Sequence, residues 1–338
     1  MKAAVLLGVG DLRIVDREVP KAGSGEAVIK LKYAGLCGSD ITVYKGEHPT
    51  ATLPVVPGHE MVGVIHSINA PDSSLVVGDR VVVNPLISCG MCEACVKGHQ
   101  HVCKNLKLLG IHEDGGFAEF VKVSVDKLIN VPDTITDLEA ALAEPFAVGY
   151  HVNYRSGVRV EDTVLVIGAG TIGLVIGLIA REAGARVFVS EVNQNRLLLA
   201  KKLGFETIDA ENTDVLNEIL RITDNNGVDI VYEASGSASG IRLMTDACKI
   251  RGTIVSMSLS AKPVLFQLGM VSFKELTFVG SRVYEHYHFL RAVNMLENLT
   301  KKYDLSLLST ETYSLDEVNT AIEDMLTGRN TGKILIRY

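Results

Sequence analysis

The sequence has no low-complexity run, and its nine prolines are scattered along the chain. Apolar residues make up 47% of it and charged residues 22%, so there is ample material for sizeable cores and little sign of disorder. With 338 residues, the chain exceeds the size at which one hydrophobic core keeps growing. We therefore predict a globular protein with two domains.

Positive charge is in deficit. The chain has 33 Lys and Arg residues against 40 Asp and Glu residues, for a formal net charge of −7. A nucleic-acid-binding protein needs a basic surface that displaces counterions from phosphates. The composition therefore argues against a nucleic-acid partner and favours a small-molecule substrate.

The features of an export signal are also missing. The apolar stretch at residues 1–8 is soon followed by Asp11 and Arg13, and no signal-type cleavage site is present. We therefore expect a cytoplasmic protein.

Residues 164–180 contain no charged side chain and include the pattern Gly173-x-x-x-Gly177, which occurs in transmembrane helix dimers. Seventeen residues are at the lower limit for spanning a bilayer, and Asp162 and Arg181 flank the stretch. A buried strand, turn and helix explain it better, so we expect no membrane association.

The first part of the chain, residues 2–131, favours short strands. Apolar alternation at residues 27–31, 61–68 and 80–83, punctuated by Gly and Pro, predicts an all-β, barrel-like domain. Within it, four cysteines follow the spacing C-x2-C-x2-C-x7-C: Cys89, Cys92, Cys95 and Cys103.

Four thiols within fifteen residues of a cytoplasmic chain are typical of a tetrahedral thiolate zinc site, because reducing conditions disfavour disulfides. An iron–sulfur cluster or a redox pair is the alternative. A zinc with four protein ligands has no open position for substrate, so we predict a structural role in the lobe at about residues 86–106.

Beyond Asp162 the pattern changes to alternating strands and helices. Residues 163–167 suit a strand buried on both faces, and residues 186–190 suit a second one that ends at Glu191. Between them lies a glycine turn that opens an apolar helix: Gly168, Ala169, Gly170, Thr171, Ile172 and Gly173. Strand, glycine turn, helix, strand and terminal acid in this order form a dinucleotide-binding fingerprint.

The terminal acid bears on the choice of cofactor. Glu191 would accept hydrogen bonds from the adenosine ribose and repel a 2′-phosphate, which favours NAD over NADP. Arg196 argues the other way, although five residues further on it fits a solvated helix face.

Further apolar runs predict strands at residues 205–208, 228–233, 252–257 and 276–280, with helices at 215–222 and 237–248. The six strands form a doubly wound parallel sheet. Helical patterns follow at residues 285–299 and after the capping box Ser314-x-x-Glu317, and a last strand at 333–338 should return to the first domain. We place the domain boundaries at residues 1–150 with 285–338, and at 151–284.

Three short stretches carry side chains that could hold a second metal: Cys37-Gly38-Ser39-Asp40, Gly58-His59-Glu60 and Glu144-Pro145. A thiolate, an imidazole and a carboxylate form a ligand set suited to a catalytic zinc with an open position. Each stretch alone is weak evidence, since a lone His beside a Glu is more often a solvated pair.

Taken together, these stretches resemble the zinc-dependent medium-chain dehydrogenases over essentially the whole chain, and most closely the branch of sorbitol, threonine and sugar-acid dehydrogenases. The residues that carry the resemblance are those three stretches, the four-cysteine lobe, the segment from Asp114 to Glu119 (DGGFAE) and the glycine turn. The resemblance implies a GroES-like catalytic domain and a Rossmann coenzyme domain, with the active site between them.

The resemblance also implies the roles of residues. Cys37, His59 and a carboxylate would hold the catalytic zinc, Glu60 and Glu144 being the two candidates. The alcohol dehydrogenases with two cysteines at this metal differ, and the spare thiol here, Cys248, is expected to pack in a helix of the coenzyme domain.

The zinc would lower the pKa of the substrate hydroxyl, and NAD would accept the hydride. Ser39 would receive the hydroxyl proton and pass it toward the ribose and solvent. Asp40 would orient His59. Thr42 stands where many relatives have His, so the proton could leave through Thr42 or by another path.

For the substrate, the resemblance points to a secondary alcohol of a polyol or a hexonate-type sugar acid. Arg282 would pair with a carboxylate or hydroxyls, and His112 could line the pocket, although a surface loop position is equally compatible. Tyr44, Phe117 and His151 are further candidates for the pocket wall. Alternatives are a threonine or butanediol dehydrogenase, and a zinc-stabilised NAD sensor without catalysis. Relatives are commonly dimers or tetramers, so a homo-oligomer is expected.

Overall fold

The computed structural model describes residues 1–257 and 263–338. The chain divides into two compact units. The first unit comprises Met1–Glu144 and Glu285–Tyr338, and the second unit comprises Pro145–Tyr284.

The amino-terminal segment contains nine strands and the first helices. They are β1 (Lys2–Gly8), β2 (Asp11–Asp16), β3 (Glu26–Leu36), α1 (Gly38–Tyr44), β4 (Glu60–Asn69), β5 (Arg80–Val83), β6 (Leu86–Ile87), α2 (Glu93–Val96), β7 (Lys107–Leu108), β8 (Phe120–Ser124), β9 (Leu128–Asn130), α3 (Asp137–Ala140) and α4 (Ala143–Ser156).

The middle of the chain alternates strands and helices, as its sequence predicts. The elements are β10 (Thr163–Ile167), α5 (Thr171–Glu182), β11 (Arg186–Glu191), α6 (Gln194–Lys202), β12 (Glu206–Asp209), α7 (Val215–Ile222), β13 (Val228–Glu233), α8 (Ala238–Ala247), β14 (Cys248–Ser256), α9 (Leu268–Phe273) and β15 (Thr277–Gly280).

The last segment adds α10 (His286–Leu299), β16 (Ser309–Ser314), α11 (Val318–Leu326) and β17 (Lys333–Arg337). The predicted capping box is present, because the Ser314 side chain and the Glu317 carboxylate cap each other's backbone. It opens a short 3₁₀ turn, after which α11 begins.

In the first unit, the main sheet has the strand order β16-β17-β3-β4-β5-β9, and β8 also pairs with β3. The prediction that the last strand returns to this unit is confirmed, since β17 pairs antiparallel with β3, Ile334 opposite Leu36. Apolar side chains from these strands form two cores, and the β3–β17 pairing leads directly to Cys37.

In the second unit, six parallel strands follow the order β12-β11-β10-β13-β14-β15, the doubly wound arrangement of dinucleotide-binding folds. The observed bounds of β10, α7 and β13 equal the predicted ones. One expectation is wrong: Cys248 is the first residue of β14, not part of a helix, because α8 ends at Ala247. Its thiol is nevertheless buried, as expected of a core residue.

Candidate active site

The loop after β3 places Cys37 at the start of α1. The Cys37 backbone N–H donates to Asp40 Oδ2 at 2.8 Å, which fixes the turn that presents the thiol. The Ser39 hydroxyl donates to Cys37 Sγ at 3.3 Å and lies 3.4 Å from His59 Nε2. The predicted proton acceptor is therefore beside both candidate ligands.

His59 is buried and follows Gly58, whose φ of +90° favours glycine. Asp40 Oδ1 accepts the Gly58 N–H at 3.2 Å and lies 3.4 Å from His59 Nδ1, an ion-pair distance without hydrogen-bond alignment. Burial alone would lower the pKa of His59, but the Asp40 carboxylate and the neighbouring Cys37 outweigh it and raise that pKa well above its usual value. Asp40 thus faces the ring nitrogen opposite the one near Ser39, as expected of a residue that orients His59.

Glu60 is the first residue of β4 and is almost fully buried. Its Oε1 accepts a hydrogen bond of 2.6 Å from Lys333 Nζ, and its Oε2 has no hydrogen-bond partner among the described residues. A Cβ at position 35 would lie 1.9 Å from that oxygen, so Gly35 leaves the room that the carboxylate occupies. A buried carboxylate oxygen without a partner is costly and is suited to a cation.

Potential ligand atoms of Cys37, His59 and Glu60 all lie within 4.8 Å of one another. His59 and Glu60 are buried and Cys37 is half-buried, and a thiolate, an imidazole and a carboxylate this close together fit zinc. Within the described chain, Glu144 does not belong to this compact group. It is buried in the first turn of α4, and its charge contributes to the raised pKa of Lys333.

Lys333 is a site residue that the sequence analysis missed. Its ammonium group is buried, and it also donates to the Leu36 carbonyl at 3.3 Å. Burial works to lower its pKa, but Glu60, Cys37 and Glu144 raise it, so the side chain carries its charge. A lysine at the start of a strand usually lies in solvent, and no local pattern indicates otherwise.

Gly115 and Gly116 of the DGGFAE segment, together with Gly110, pack against the turn that carries His59. A Cβ at Gly115 or at Gly110 would approach the backbone of Gly58 to 2.2 and 2.6 Å, respectively. The Gly116 N–H donates to the Gly58 carbonyl at 2.7 Å, and the buried Phe117 ring occupies the space beside Gly58. These contacts explain why the segment accompanies the Gly58-His59-Glu60 stretch.

The four cysteines of the lobe are brought together as predicted. All four Sγ atoms lie within 4.8 Å of one another, and Cys92 Sγ is 3.5 Å from Cys95 Sγ. Backbone N–H groups of Cys95 and Lys104 lower the pKa of Cys92 to about 6, so thiolate is favoured there. The donor set fits a structural zinc.

The glycine turn of the second unit has the geometry of a dinucleotide cradle. Gly168 has a φ of +102°, and a Cβ at Gly173 would lie 2.0 Å from the Gly168 carbonyl oxygen. Gly170 caps α5 with open space at its Cβ position, and Thr171 and Ile172 begin the helix. Backbone N–H groups can therefore approach a pyrophosphate closely.

Glu191 and Arg196, the two residues that bear on the choice between NAD and NADP, lie close to the turn after β11. Glu191 ends β11, where its carboxylate accepts hydrogen bonds from three backbone N–H groups. Arg196 lies in the first turn of α6, where its backbone N–H bonds to the Asn193 side chain that caps the helix.

The two predicted substrate residues, Arg282 and His112, lie in different surroundings. Arg282 is exposed and follows β15, and the next residue, Val283, has a φ of +40°. His112 Nδ1 accepts the Leu108 N–H at 3.1 Å, so its Nε2 carries the hydrogen and donates to Thr50 Oγ1 at 3.0 Å. The ring thus fastens two loops of the first unit.

Other candidates have structural contacts. The Thr42 hydroxyl donates to the Ser39 carbonyl at 2.8 Å, and the Tyr44 hydroxyl donates to the Gly10 carbonyl at 3.1 Å. Phe117 is fully buried in the core, and His151 is buried in α4. None of the helices in the described residues is long and apolar enough to cross a membrane.

Comparison with protein families gives two matches. Residues 23–133 match the alcohol dehydrogenase GroES-like domain, and residues 171–298 match the zinc-binding dehydrogenase family. The predicted fold class, a GroES-like domain with a Rossmann-type parallel sheet, is thereby confirmed.

Curated relatives span nearly the whole chain. A sorbitol dehydrogenase of Halalkalibacterium halodurans is 32% identical, covering 97% of each chain. A 2-dehydro-3-deoxy-L-galactonate 5-dehydrogenase of Pseudoalteromonas atlantica is 31% identical, covering 96% of this chain and 95% of the relative. An L-threonine 3-dehydrogenase of Pectobacterium carotovorum is also 31% identical, with the same coverage.

Solved structures of similar proteins have the same fold. A zinc-binding dehydrogenase of Sinorhizobium meliloti bound to NADP superposes with a TM-score of 0.93 at 31% identity, covering 100% of this chain and 99% of the other. An alcohol dehydrogenase of Escherichia coli complexed with NADH has a TM-score of 0.91 at 30% identity, with the same coverage. With both domain families and full-length relatives in agreement, the chain belongs to the zinc-dependent medium-chain dehydrogenases and is an alcohol dehydrogenase of that family.

Proposed function

We propose that the protein oxidises a secondary alcohol of a polyol or of a hexonate-type sugar acid, with NAD as hydride acceptor. The observation that carries the proposal is the compact group of half-buried Cys37 with buried His59 and Glu60, in which a carboxylate lies beside one thiol. Relatives named for sorbitol and for a deoxygalactonate support this substrate class.

In this proposal, Cys37 and His59 hold the catalytic zinc together with a carboxylate, Glu60 or Glu144. When bound, the zinc supplies Lewis acidity that makes the substrate hydroxyl easier to deprotonate. The Ser39 hydroxyl, beside Cys37 and His59, would receive that proton and pass its own on toward the ribose of the cofactor and solvent. Asp40 keeps the imidazole oriented, and the four lobe cysteines hold a second, structural zinc, giving two zinc ions per chain.

The preference for NAD rests on Glu191. A carboxylate at the end of β11 disfavours the doubly charged 2′-phosphate of NADP. One solved relative was crystallised with NADP and another with NADH, so the family accommodates both nucleotides. Initial rates measured with each nucleotide test the preference, and equal or better rates with NADP would contradict it.

For the substrate itself, we propose Arg282 as a contact to a carboxylate or hydroxyl group and His112 as part of the pocket. The nearest alternative is an L-threonine 3-dehydrogenase, which the relative of that name favours. Initial rates on sorbitol, other polyols, hexonates, threonine and butanediol separate the two. Should threonine alone reduce NAD, the polyol and sugar-acid assignment is wrong.

Metal analysis together with activity measurements tests the mechanism and separates it from a sensor without catalysis. We expect Cys37→Ala to remove one zinc and the activity, and Cys92→Ala to remove the other zinc and mainly lower stability. A wild-type protein with a single zinc, together with an active Cys37→Ala variant, would contradict the mechanism.

A cytoplasmic location and a dimer or tetramer complete the proposal. Light scattering after size-exclusion chromatography tests the oligomeric state.

A further inference from the structure

We propose that Glu191 is a positioning residue whose carboxylate holds the glycine turn at residues 168–173 in its cofactor-binding shape. This inference rests on the proposed NAD site and adds to it. In the usual role of an acid at this position, the carboxylate recognises the ribose. Here its contacts within the protein show a second task.

The carboxylate joins two turns of the second unit. Glu191 Oε2 accepts the N–H of Ala169 at 2.8 Å, across 22 residues of sequence. Glu191 Oε1 accepts the N–H groups of Val192 and Asn193, each at 2.9 Å. Ala169 lies between Gly168 and Gly170, so this side chain ties the glycine turn after β10 to the turn after β11.

Counting acceptor sites shows how little of the carboxylate remains for a ribose. An ionised carboxylate offers about four lone-pair directions, and three backbone N–H groups occupy three of them. Glu191 is only 8% exposed, so solvent cannot easily replace a lost partner. About one direction is left for a ribose hydroxyl.

The glycine turn depends on this contact. The Ala169 N–H is buried, and a buried N–H that loses its acceptor is destabilising. Gly168 is held at its other side by the hydrogen bond of its N–H to the Ser190 carbonyl at 2.8 Å. Removing the carboxylate would therefore release one of two links between the turn and β11.

The two roles of Glu191 predict opposite results for NADP. If the carboxylate acted only on the ribose, Glu191→Ala would remove the repulsion of the 2′-phosphate, and NADPH would bind more tightly. If the carboxylate holds the turn, both nucleotides lose binding, because both place their pyrophosphate on that turn.

The test is fluorescence titration of NADH and NADPH with the wild type and with Glu191→Ala. We expect Glu191→Ala to weaken both nucleotides about tenfold or more, since a charge-assisted hydrogen bond is lost. Glu191→Gln keeps the size of the side chain and serves as a second variant if Glu191→Ala fails to fold. Glu206 is an exposed acid of β12 that pairs with Arg186, and Glu206→Ala serves as the control. This variant should bind both nucleotides as the wild type does.

Hydrogen–deuterium exchange of residues 168–173 gives a readout that does not require cofactor. We expect faster exchange there in Glu191→Ala and Glu191→Gln, and wild-type exchange in β13, on the other side of β10. Tighter NADPH binding by Glu191→Ala with unchanged exchange in the turn would overturn the inference. A wild type that binds neither nucleotide would refute the proposed NAD site, while the exchange experiment would still decide the role of Glu191.

Discussion

Replacing Lys333 by Met should destabilise the first unit strongly, because it leaves Glu60 charged and buried without its partner. The side chains of Lys333 and Glu60 are only 4% and 1% exposed. Removing one member of a buried ion pair typically costs about 3–5 kcal/mol. We therefore expect a loss of about that size in the free energy of unfolding of the zinc-free protein.

Two comparisons isolate the pair. Lys333→Met combined with Glu60→Gln removes both charges and should recover most of the stability, since a buried pair replaced by neutral groups is often close to neutral. Lys2→Met is the matched control: Lys2 and Asp316 form an ion pair of 2.8 Å whose side chains are 49% and 61% exposed. Because both side chains are exposed to solvent, its loss should leave the free energy of unfolding close to that of the wild type.

Urea unfolding followed by circular dichroism measures all four proteins, with and without zinc. If Glu60 is the carboxylate that binds the proposed zinc, zinc should reduce the penalty of Lys333→Met, because the metal would supply positive charge to the same group. If Lys333→Met were as stable as the wild type without zinc, or if the double variant were no better than the single one, the assigned charge pairing would be wrong.

Two further substitutions and the properties of the Cys248 thiol test other parts of the structure. Gly115→Ala should cost about 1–3 kcal/mol and weaken retention of the catalytic zinc, because the new Cβ would lie 2.2 Å from the Gly58 carbonyl oxygen. The control Gly8→Ala meets open space and should be neutral in the same unfolding and metal assays. Lys274→Met should cost about 1–3 kcal/mol in urea unfolding, because its ammonium donates to three carbonyls at the end of α8; an unchanged midpoint would contradict this. Burial raises the pKa of Cys248 to about 12, so the native thiol should resist iodoacetamide at about pH 8. Since that pKa is raised on folding from 9.0, its contribution to stability should be complete below pH 9 and disappear as the pH rises toward 12, as pH-dependent unfolding would show.

Much of the second unit could be predicted from sequence because its signals are local. Strands β10 and β13 are buried on both faces and appear as short apolar runs, so their bounds were predicted to the residue. The four-cysteine lobe is equally predictable from sequence, since its four cysteines lie within fifteen residues. Cys248 was misplaced because an apolar residue at the junction of a helix and a strand suits either element.

What the sequence could not show are contacts between distant residues. Lys333 and Glu60 are 273 residues apart, and a lysine followed by Ile and Leu is also compatible with the solvated start of a strand. The bond between Glu191 and Ala169 likewise depends on the pairing of β10 with β11. The sequence also could not distinguish the surroundings of Glu60 and Glu144: Glu60 accepts a hydrogen bond from Lys333 and belongs to the compact group with Cys37 and His59, whereas Glu144 does not belong to that group.

The pairing of β17 with β3 has a consequence for the order of folding. The second unit is continuous in sequence, so all of its strands are available once residue 284 has left the ribosome. Strand β3 can pair early with β4 and β8, but residues 33–36 of β3 must wait for β17, whose Ile334 lies opposite Leu36. Pairings of such large sequence separation are slow to form. We therefore expect the parallel sheet to fold during synthesis, and the centre of Cys37, His59 and Glu60 to acquire its lysine only afterwards.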